Sequence, residues 1–427
     1  MNTSSKVSAQ NLLAAVRDSF SNISDATQSS ISLVDCLMSG LAIFGLKYAS
    51  LLQFDNDRAD EAVRHNLRQL YGVERVPCDT TMRERLDDVA PENLRKAFKK
   101  LFALIQRNKV LEPYAYIDGH YLVSIDGTGQ YSSHAVHCSN CCVKTHKNGT
   151  KTYYHNMLAA ALVHPDHKEV FPFVPEAITK QETNKKNDCE QRAAERLLSN
   201  LRREHPHLKI VVLEDALYAT APHINMLQEL KMSFIIGAKH LEEDFNFINV
   251  EIHKHEIINE DGPKQEFKWA NQIRLNGSNT WLKINLFDFK ETTKDGKTCH
   301  FTWVTDLALN EDTVAKIAKA GRTRWRIENE TFNTLKNQGY NFEHNYGHGN
   351  QFLSTNFSNL MLLAFFIDQI QQRCCYDFKL ALEEAKRKLY FWEKLRFFAL
   401  NFAVDSWEII YGLISKKTTY KMVLDTC

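Results

Sequence analysis

At 427 residues the chain exceeds what one ordinary hydrophobic core accommodates, so two or three domains are expected. Its 44% apolar and 25% charged content is that of a folded globular protein and excludes a disordered one. A net charge of +1 excludes nothing about nucleic acid, because an acidic site and basic faces elsewhere cancel in the sum.

The ten cysteines are scattered, and MNTSSKVSAQ lacks the basic-then-apolar pattern of an export signal, which points to a reducing cytoplasm. The most apolar run, residues 36–46, is 11 residues long against the roughly 20 needed to span a bilayer. It reads as a buried core helix, and no membrane partner is expected.

Residues 1–110 read as all-helical, with apolar side chains at helical spacing in 11–20 and 94–105 and no period-two alternation. A helix over 59–70 is followed by a turn holding Gly72 and Pro77, and Thr81 with Glu84 makes a capping box for the next helix. That second helix exposes Arg83 and Arg85, which suits a DNA-reading helix. Pairs of helices joined by a turn also occur in plain helical packing domains, and both readings stand.

From Tyr116 the period changes to two. Strands are expected at 121–126, 153–163 and 169–174, then a long helix at 185–204, a strand at 209–213, a short helix at 222–230 and a strand at 232–236. The tight turn at Pro165 to Lys168 makes the second and third strands antiparallel, whereas the helical crossovers make the later strands parallel. This β-β-β-α-β-α-β order is that of the α/β ribonuclease H-like fold, in which the first and fourth strands are neighbours.

Residues 241–308 turn β-rich again, with turn signals at Asp261-Gly262, Asn276-Gly277 and Asp295-Gly296, and read as an inserted β subdomain. Asn310, backed by Glu311 and Asp312, caps a helix leading to Arg322. The expected division is therefore a helical domain at 1–110, a catalytic domain at 111–240 and 309–350 split by the insertion at 241–308, and a helical region at 351–427.

Three carboxylates converge in this scheme. Asp126 ends the first strand on the face of Leu122 and Ser124, and Asp215 ends the fourth on the face of Val211 and Leu213, so neighbouring strands bring them together. In RTRWRIENETFNTLK a regular helix puts Trp325, Ile327, Phe332 and Leu335 on one face with Glu328 in its middle, while Glu330 points nearly the opposite way. A lone carboxylate there would be costly. Three clustered carboxylates repel one another unless cations sit among them. Hard oxygen ligands suit Mg²⁺ or Mn²⁺, and two such ions about 4 Å apart hold the attacking and leaving oxygens of an in-line phosphoryl transfer. Singly, each acid has an ordinary reading: an Asp126-Gly127 turn, a helix cap at Asp215, an ion pair between Glu328 and Arg324.

At SIDGTG, HPHLKIVVLEDALYATAPHI and RWRIENETFNTLKNQGYNFEHNYGHG the sequence resembles the DDE insertion-sequence transposases of the insertion-sequence-four-like group. Their glutamate lies in a Y-x(2)-R-x(3)-E-x(6)-K signature. The resemblance implies that Asp126, Asp215 and Glu328 form a metal-binding catalytic triad and that Arg324 contacts DNA phosphate. It implies an enzyme that cuts the inverted-repeat ends of a double-stranded DNA element and joins them to target DNA, as a homodimer on DNA, at the nucleoid of a bacterial cytoplasm. The signature tyrosine position holds Gly321, and the lysine position holds Leu335, with Lys336 one residue on. Arg326, Lys336, Lys185 and Lys186 are further candidates for phosphate contact; Trp325 is a candidate for stacking on an unpaired base, although its place on the apolar face favours the core. The rival readings are a domesticated DNA-binding protein and a ribonuclease H-like nuclease that cuts without joining.

Cys138 and Cys141 form a C-x(2)-C pair with His134, His137, His146 and His155 nearby. No second pair follows, so a loop with free thiols is expected and a structural zinc site is not. The glycines around His344 and His348 argue for a loop, with packing or DNA contact as the role of these histidines. Glu182, Asp188 and Glu190 read as surface acids, one of which could assist a metal.

Overall fold

A computed structural model of the chain describes residues 6–25, 27, 29–180, 188–238, 251–258, 262–275 and 281–419. Glu182, Lys185, Lys186 and the Asn276-Gly277 turn lie outside the described residues.

The N-terminal stretch folds as its periodicity dictates. Helices α1 (Ala9–Ser21) and α2 (Leu33–Gly45) start at Ser8 and Ser32, whose hydroxyls accept the N–H groups of Asn11 and Asp35. After α3 (Leu51–Asp57), α4 (Glu61–Tyr71) starts at Asp60 and ends at Gly72, which takes a φ of +67°. Helix α5 (Asp79–Asp87) begins before the expected capping box. Asp55 of α3 accepts the Asp79 N–H at 3.0 Å, so a carboxylate from another helix fills the role assigned to Thr81 and the helix starts earlier. Helix α6 (Arg95–Arg107) follows.

Strands β1 (Ala115–Ile117), β2 (His120–Ser133), β3 (Cys142–Thr145), β4 (Lys151–His164), β5 (His167–Pro172) and β6 (Glu176–Ile178) precede α7 (Glu190–Glu204). Then come β7 (Ile210–Glu214), α8 (Ala221–Glu229) and β8 (Ser233–Gly237). β2 pairs antiparallel with β4, β4 antiparallel with β5, β2 parallel with β7 and β7 parallel with β8. That connectivity is the ribonuclease H-like core. Met157 to His164 are buried without alternation, as befits a strand covered on both faces.

The insertion differs from the expectation in one respect. Its strands β9 (His253–Ile258), β10 (Lys264–Arg274), β11 (Lys283–Thr292) and β12 (Thr298–Thr305) do not stand apart but continue the central sheet, in the order β8-β12-β11-β10-β9. β12 pairs antiparallel with β8, and Thr305 donates its hydroxyl to the Phe234 carbonyl at 2.6 Å. Left unpaired, the outer edge of β8 would present a row of open backbone groups; β12 satisfies them.

Helix α9 (Glu311–Arg322) begins at Asn310 in a reciprocal capping box with Thr313, and α10 (Asn333–Asn337) follows a π-helical stretch at Ile327–Phe332. The chain ends in α11 (Leu353–Cys374), α12 (Tyr376–Ala385), α13 (Lys388–Asn401) and α14 (Trp407–Ile414). Helix α11 is buried along most of its length and packs against α2 and β5. Its N-terminus is fixed by α5: the Asp87 carboxylate accepts the N–H groups of Asn350, Gln351, Phe352 and Leu353 at 2.6 to 3.0 Å. Among the described residues no helix is long and apolar enough to cross a membrane.

Candidate active site

The register of β2 against β7 runs to Ser124 opposite Leu213, and two residues further along both strands stand Asp126 and Asp215. Asp215 closes β7, is exposed, and accepts the Leu217 N–H at 2.8 Å, so it caps the following turn as its ordinary reading had it. Glu214, one residue earlier, points the other way, is 1% exposed and meets His223 Nε2 at 2.7 Å. Alternation along the strand thus separates a core acid from a site acid.

The segment after α9 is not a regular helix. The N–H groups of Arg324, Arg326 and Ile327 bond three residues back, which tightens the turn, and the Asn333 N–H then reaches the Glu328 carbonyl five residues back, which widens it. A phase counted at about 100° per residue therefore drifts. Ile327, Phe332 and Leu335 are buried as expected, whereas Trp325 is 49% exposed and carries the Arg324 guanidinium 5.6 Å from its ring centre. Ser124, on the same strand as Asp126, donates its hydroxyl to the Arg324 carbonyl at 2.8 Å and so ties the bend to the sheet.

Asp126 and Glu328 come together around one cation. Arg324 places one nitrogen 3.1 Å from Asp126 Oδ2 and another 2.9 Å from Glu328 Oε1. This guanidinium does not balance the pair: burial first, and then Glu328 beside it, push the Asp126 carboxyl up to about 6 from an ordinary 3.8. Two further groups join the acidic end of the sheet. Glu190, at the start of α7, lies where a Cβ on Gly127 would meet its Oε1 at 2.5 Å, and burial and then Asp215 raise its carboxyl. The Tyr218 hydroxyl is buried without a hydrogen-bond partner among the described residues; burial, then Glu214, Glu190, Asp215 and Asp126, push the phenol up. An excess of carboxylate oxygens around one guanidinium, with an orphaned hydroxyl, is a donor set that fits hard divalent cations. Asp126, Asp215 and Glu328 are not among the described sets whose ligand atoms all lie within 4.8 Å of one another, so in this arrangement they do not form a closed cage for one ion.

The raised carboxyl has a consequence for stability. Between 3.8 and about 6 the folded chain holds a proton that the unfolded chain has released, so stability falls as pH rises through that window and the penalty persists above it. Asp126→Asn is expected to stabilise the metal-free protein by about 1–3 kcal/mol at pH 8, with the gain vanishing below pH about 4. Denaturant unfolding in the presence of a chelator measures this; equal stability of variant and parent at pH 8 would refute it.

The basic candidates divide. Arg85 is not exposed: it is 8% exposed, with its guanidinium 2.6 Å from Asp25, so the expected reading face of α5 keeps only Arg83, itself paired with Asp79. Arg326 is held by the Pro165 carbonyl at 2.8 Å and by Glu330 at 3.3 Å, and Lys336 meets Glu343 at 2.9 Å. Trp325, Arg326 and Glu330 line an open groove of about 590 Å³ between α9 and the inserted strands, beside the acids rather than on them. Lys336 borders a second groove of about 540 Å³ with Tyr131, Lys144 and Tyr154. The glycine at the signature tyrosine position has a local cause, since a Cβ on Gly321 would lie 2.7 Å from the Trp303 ring. Glu190, read from the sequence as a surface acid that could assist a metal, is partly buried beside Gly127 in the first turn of α7.

A sheet of this connectivity with acids on β2 and at the end of β7 suits enzymes that cut or transfer nucleic-acid strands, and the family comparison narrows the class. The family described as transposase DDE domain matches residues 117–366, and the chain belongs to it. No curated protein matches the chain. Among solved structures it is similar to a piggyBac transposase in a synaptic complex with hairpin DNA, at 9% identity and a TM-score of 0.38 over 96% of this chain and 80% of that one, a likeness too loose to reason from.

Proposed function

We propose that this transposase excises a DNA element and inserts it elsewhere, with Asp126, Asp215 and Glu328 as the residues that hold two divalent ions, Mg²⁺ or Mn²⁺. The observation that supports this reading is the Asp126–Glu328 pair around Arg324, whose charge is left uncompensated, beside a strand register that leads to Asp215. When bound, such ions supply Lewis-acid stabilisation of the attacking and leaving oxygens. The chain's own part is to hold the acids on three separate elements and to offer Arg324 to a phosphate once cations replace it between the carboxylates. Hydrolysis at the element's end frees a 3′-hydroxyl, which then attacks target DNA at the same acids. Trp325, exposed beside Arg324, is placed to stack on a base unpaired at the cut.

The division of labour follows the elements: helices of 1–110 grip the element's end, the sheet cuts and joins, and residues 241–308 and 351–427 frame the site. Two ends need two active sites, so the working form is a homodimer on DNA, acting at the nucleoid of a bacterial cytoplasm. The test is an assay of cleavage and joining on DNA that flanks the gene. Short inverted repeats on either side, cut and joined in Mg²⁺, are the expected result. Cutting without joining would leave a nuclease, and binding without cutting a domesticated DNA-binding protein.

A further inference from the structure

Away from the carboxylates, the fold gathers four side chains from three parts of the chain. Cys138 and Cys141 lie in the loop between β2 and β3, His155 on β4, and His348 twenty residues beyond Glu328; one ligand atom of each falls within 4.8 Å of the others. The two sulfurs are 3.7 Å apart, His155 Nε2 lies 3.3 Å from Cys138 Sγ and 3.2 Å from Cys141 Sγ, and His348 Nδ1 lies 3.8 Å from Cys141 Sγ. A tetrahedral ion with ordinary Zn–S and Zn–N bonds has edges of about 3.8 Å between sulfurs and about 3.5 Å between sulfur and nitrogen. The four separations match those edges, far from the roughly 2 Å of a disulfide.

From this geometry we infer that Cys138, Cys141, His155 and His348 form a structural zinc site. Thiolate and imidazole ligands select Zn²⁺ over the hard cations that suit carboxylates, so the two kinds of site do not compete for one metal. Four protein ligands leave no open position, which makes the site structural rather than catalytic. Two thiolates cancel the charge of the ion, a condition for burial where Cys141 is 1% and His155 4% exposed. His348 turns its Nδ1 towards the sulfurs. The other three histidines near the C-x(2)-C pair are engaged elsewhere: His134 with the Lys151 carbonyl, His137 against the Tyr153 ring, His146 with Thr152.

The site joins elements that carry the acids. Tyr131 of β2 pairs with His155 and packs its ring on His348, while Asn140 and Ser139 of the same loop donate to the carbonyls of Gln351 and Asn350. A metal there fastens the far end of the Asp126 strand to the chain that follows the Glu328 helix.

Elemental analysis of untagged full-length protein, purified without chelator, is expected to find about one zinc per chain, independent of Mg²⁺. Cobalt exchanged for it should show the visible absorption of a tetrahedral thiolate complex. His348→Ala should lose most of the zinc and His344→Ala none of it. Because the cysteine variants could fail to fold, the decisive readings are the parent's metal content and its cobalt spectrum. Protein from zinc-replete medium that carries no zinc, takes up cobalt without a thiolate spectrum, or holds Cys138 and Cys141 as a disulfide overturns the inference.

Discussion

Glu328→Gln should lower divalent-ion-dependent cleavage of element-end DNA by about a thousandfold or more, equivalent to some 4 kcal/mol of barrier. Asp126→Asn and Asp215→Asn should do the same, and DNA binding should survive in all three. Each change keeps shape and hydrogen bonding but removes a charged oxygen ligand, so the loss falls on the chemical step. Glu330→Gln is the control. Its carboxylate pairs with Arg326 at 3.3 Å and faces the neighbouring groove, so cleavage should stay within a few-fold. Loss in the Glu330 variant together with retention in the Glu328 variant would show that the wrong glutamate has been assigned.

The second large effect is on stability. Lys47 is 2% exposed, with its ammonium 2.7 Å from Asp368, donating to the carbonyls of Phe44 and Gly45, and lying 4.2 and 4.0 Å from the ring centres of Tyr340 and Trp392. The pair fastens the N-terminal helices to α11, and the Trp392 ring brings in α13. Asp368→Ala leaves a buried ammonium without its counter-charge and should cost about 3–5 kcal/mol in denaturant unfolding, whereas Lys47→Met with Asp368→Leu should come close to the parent. A loss below about 1 kcal/mol for the single variant would mean that water reaches Lys47.

Residue pattern carried most of what positions the acids. A strand-like, mostly apolar stretch before Asp126, an apolar run leading to Asp215 and a turn tight enough to force antiparallel pairing sufficed for the connectivity of the sheet, because these depend on local pattern and chirality. Trp325 was misjudged since a helix tightened at Arg324 and widened after Glu328 has no single period. The burial of Arg85 depends on Asp25, 60 residues away, and the early start of α5 on Asp55 of another helix. Such partners leave no trace in spacing. The same holds for His348, which lies beside Cys141 although 207 residues away in the chain, so the histidines near the C-x(2)-C pair include His155 but not His348. The edge of β8, by contrast, needs a partner strand, and the inserted strands supply it by continuing the sheet, which turn signals within the insertion do not reveal.

Arg324 stands between two acids where a divalent cation is expected. Anomalous diffraction at the manganese edge, from crystals of the full chain with element-end DNA grown in Mn²⁺, tests it directly. Manganese peaks bounded by Asp126, Asp215 and Glu328, with the Arg324 guanidinium turned to a phosphate, are the predicted result. A map in which Arg324 still bridges Asp126 and Glu328 and manganese binds elsewhere, or nowhere, would contradict it.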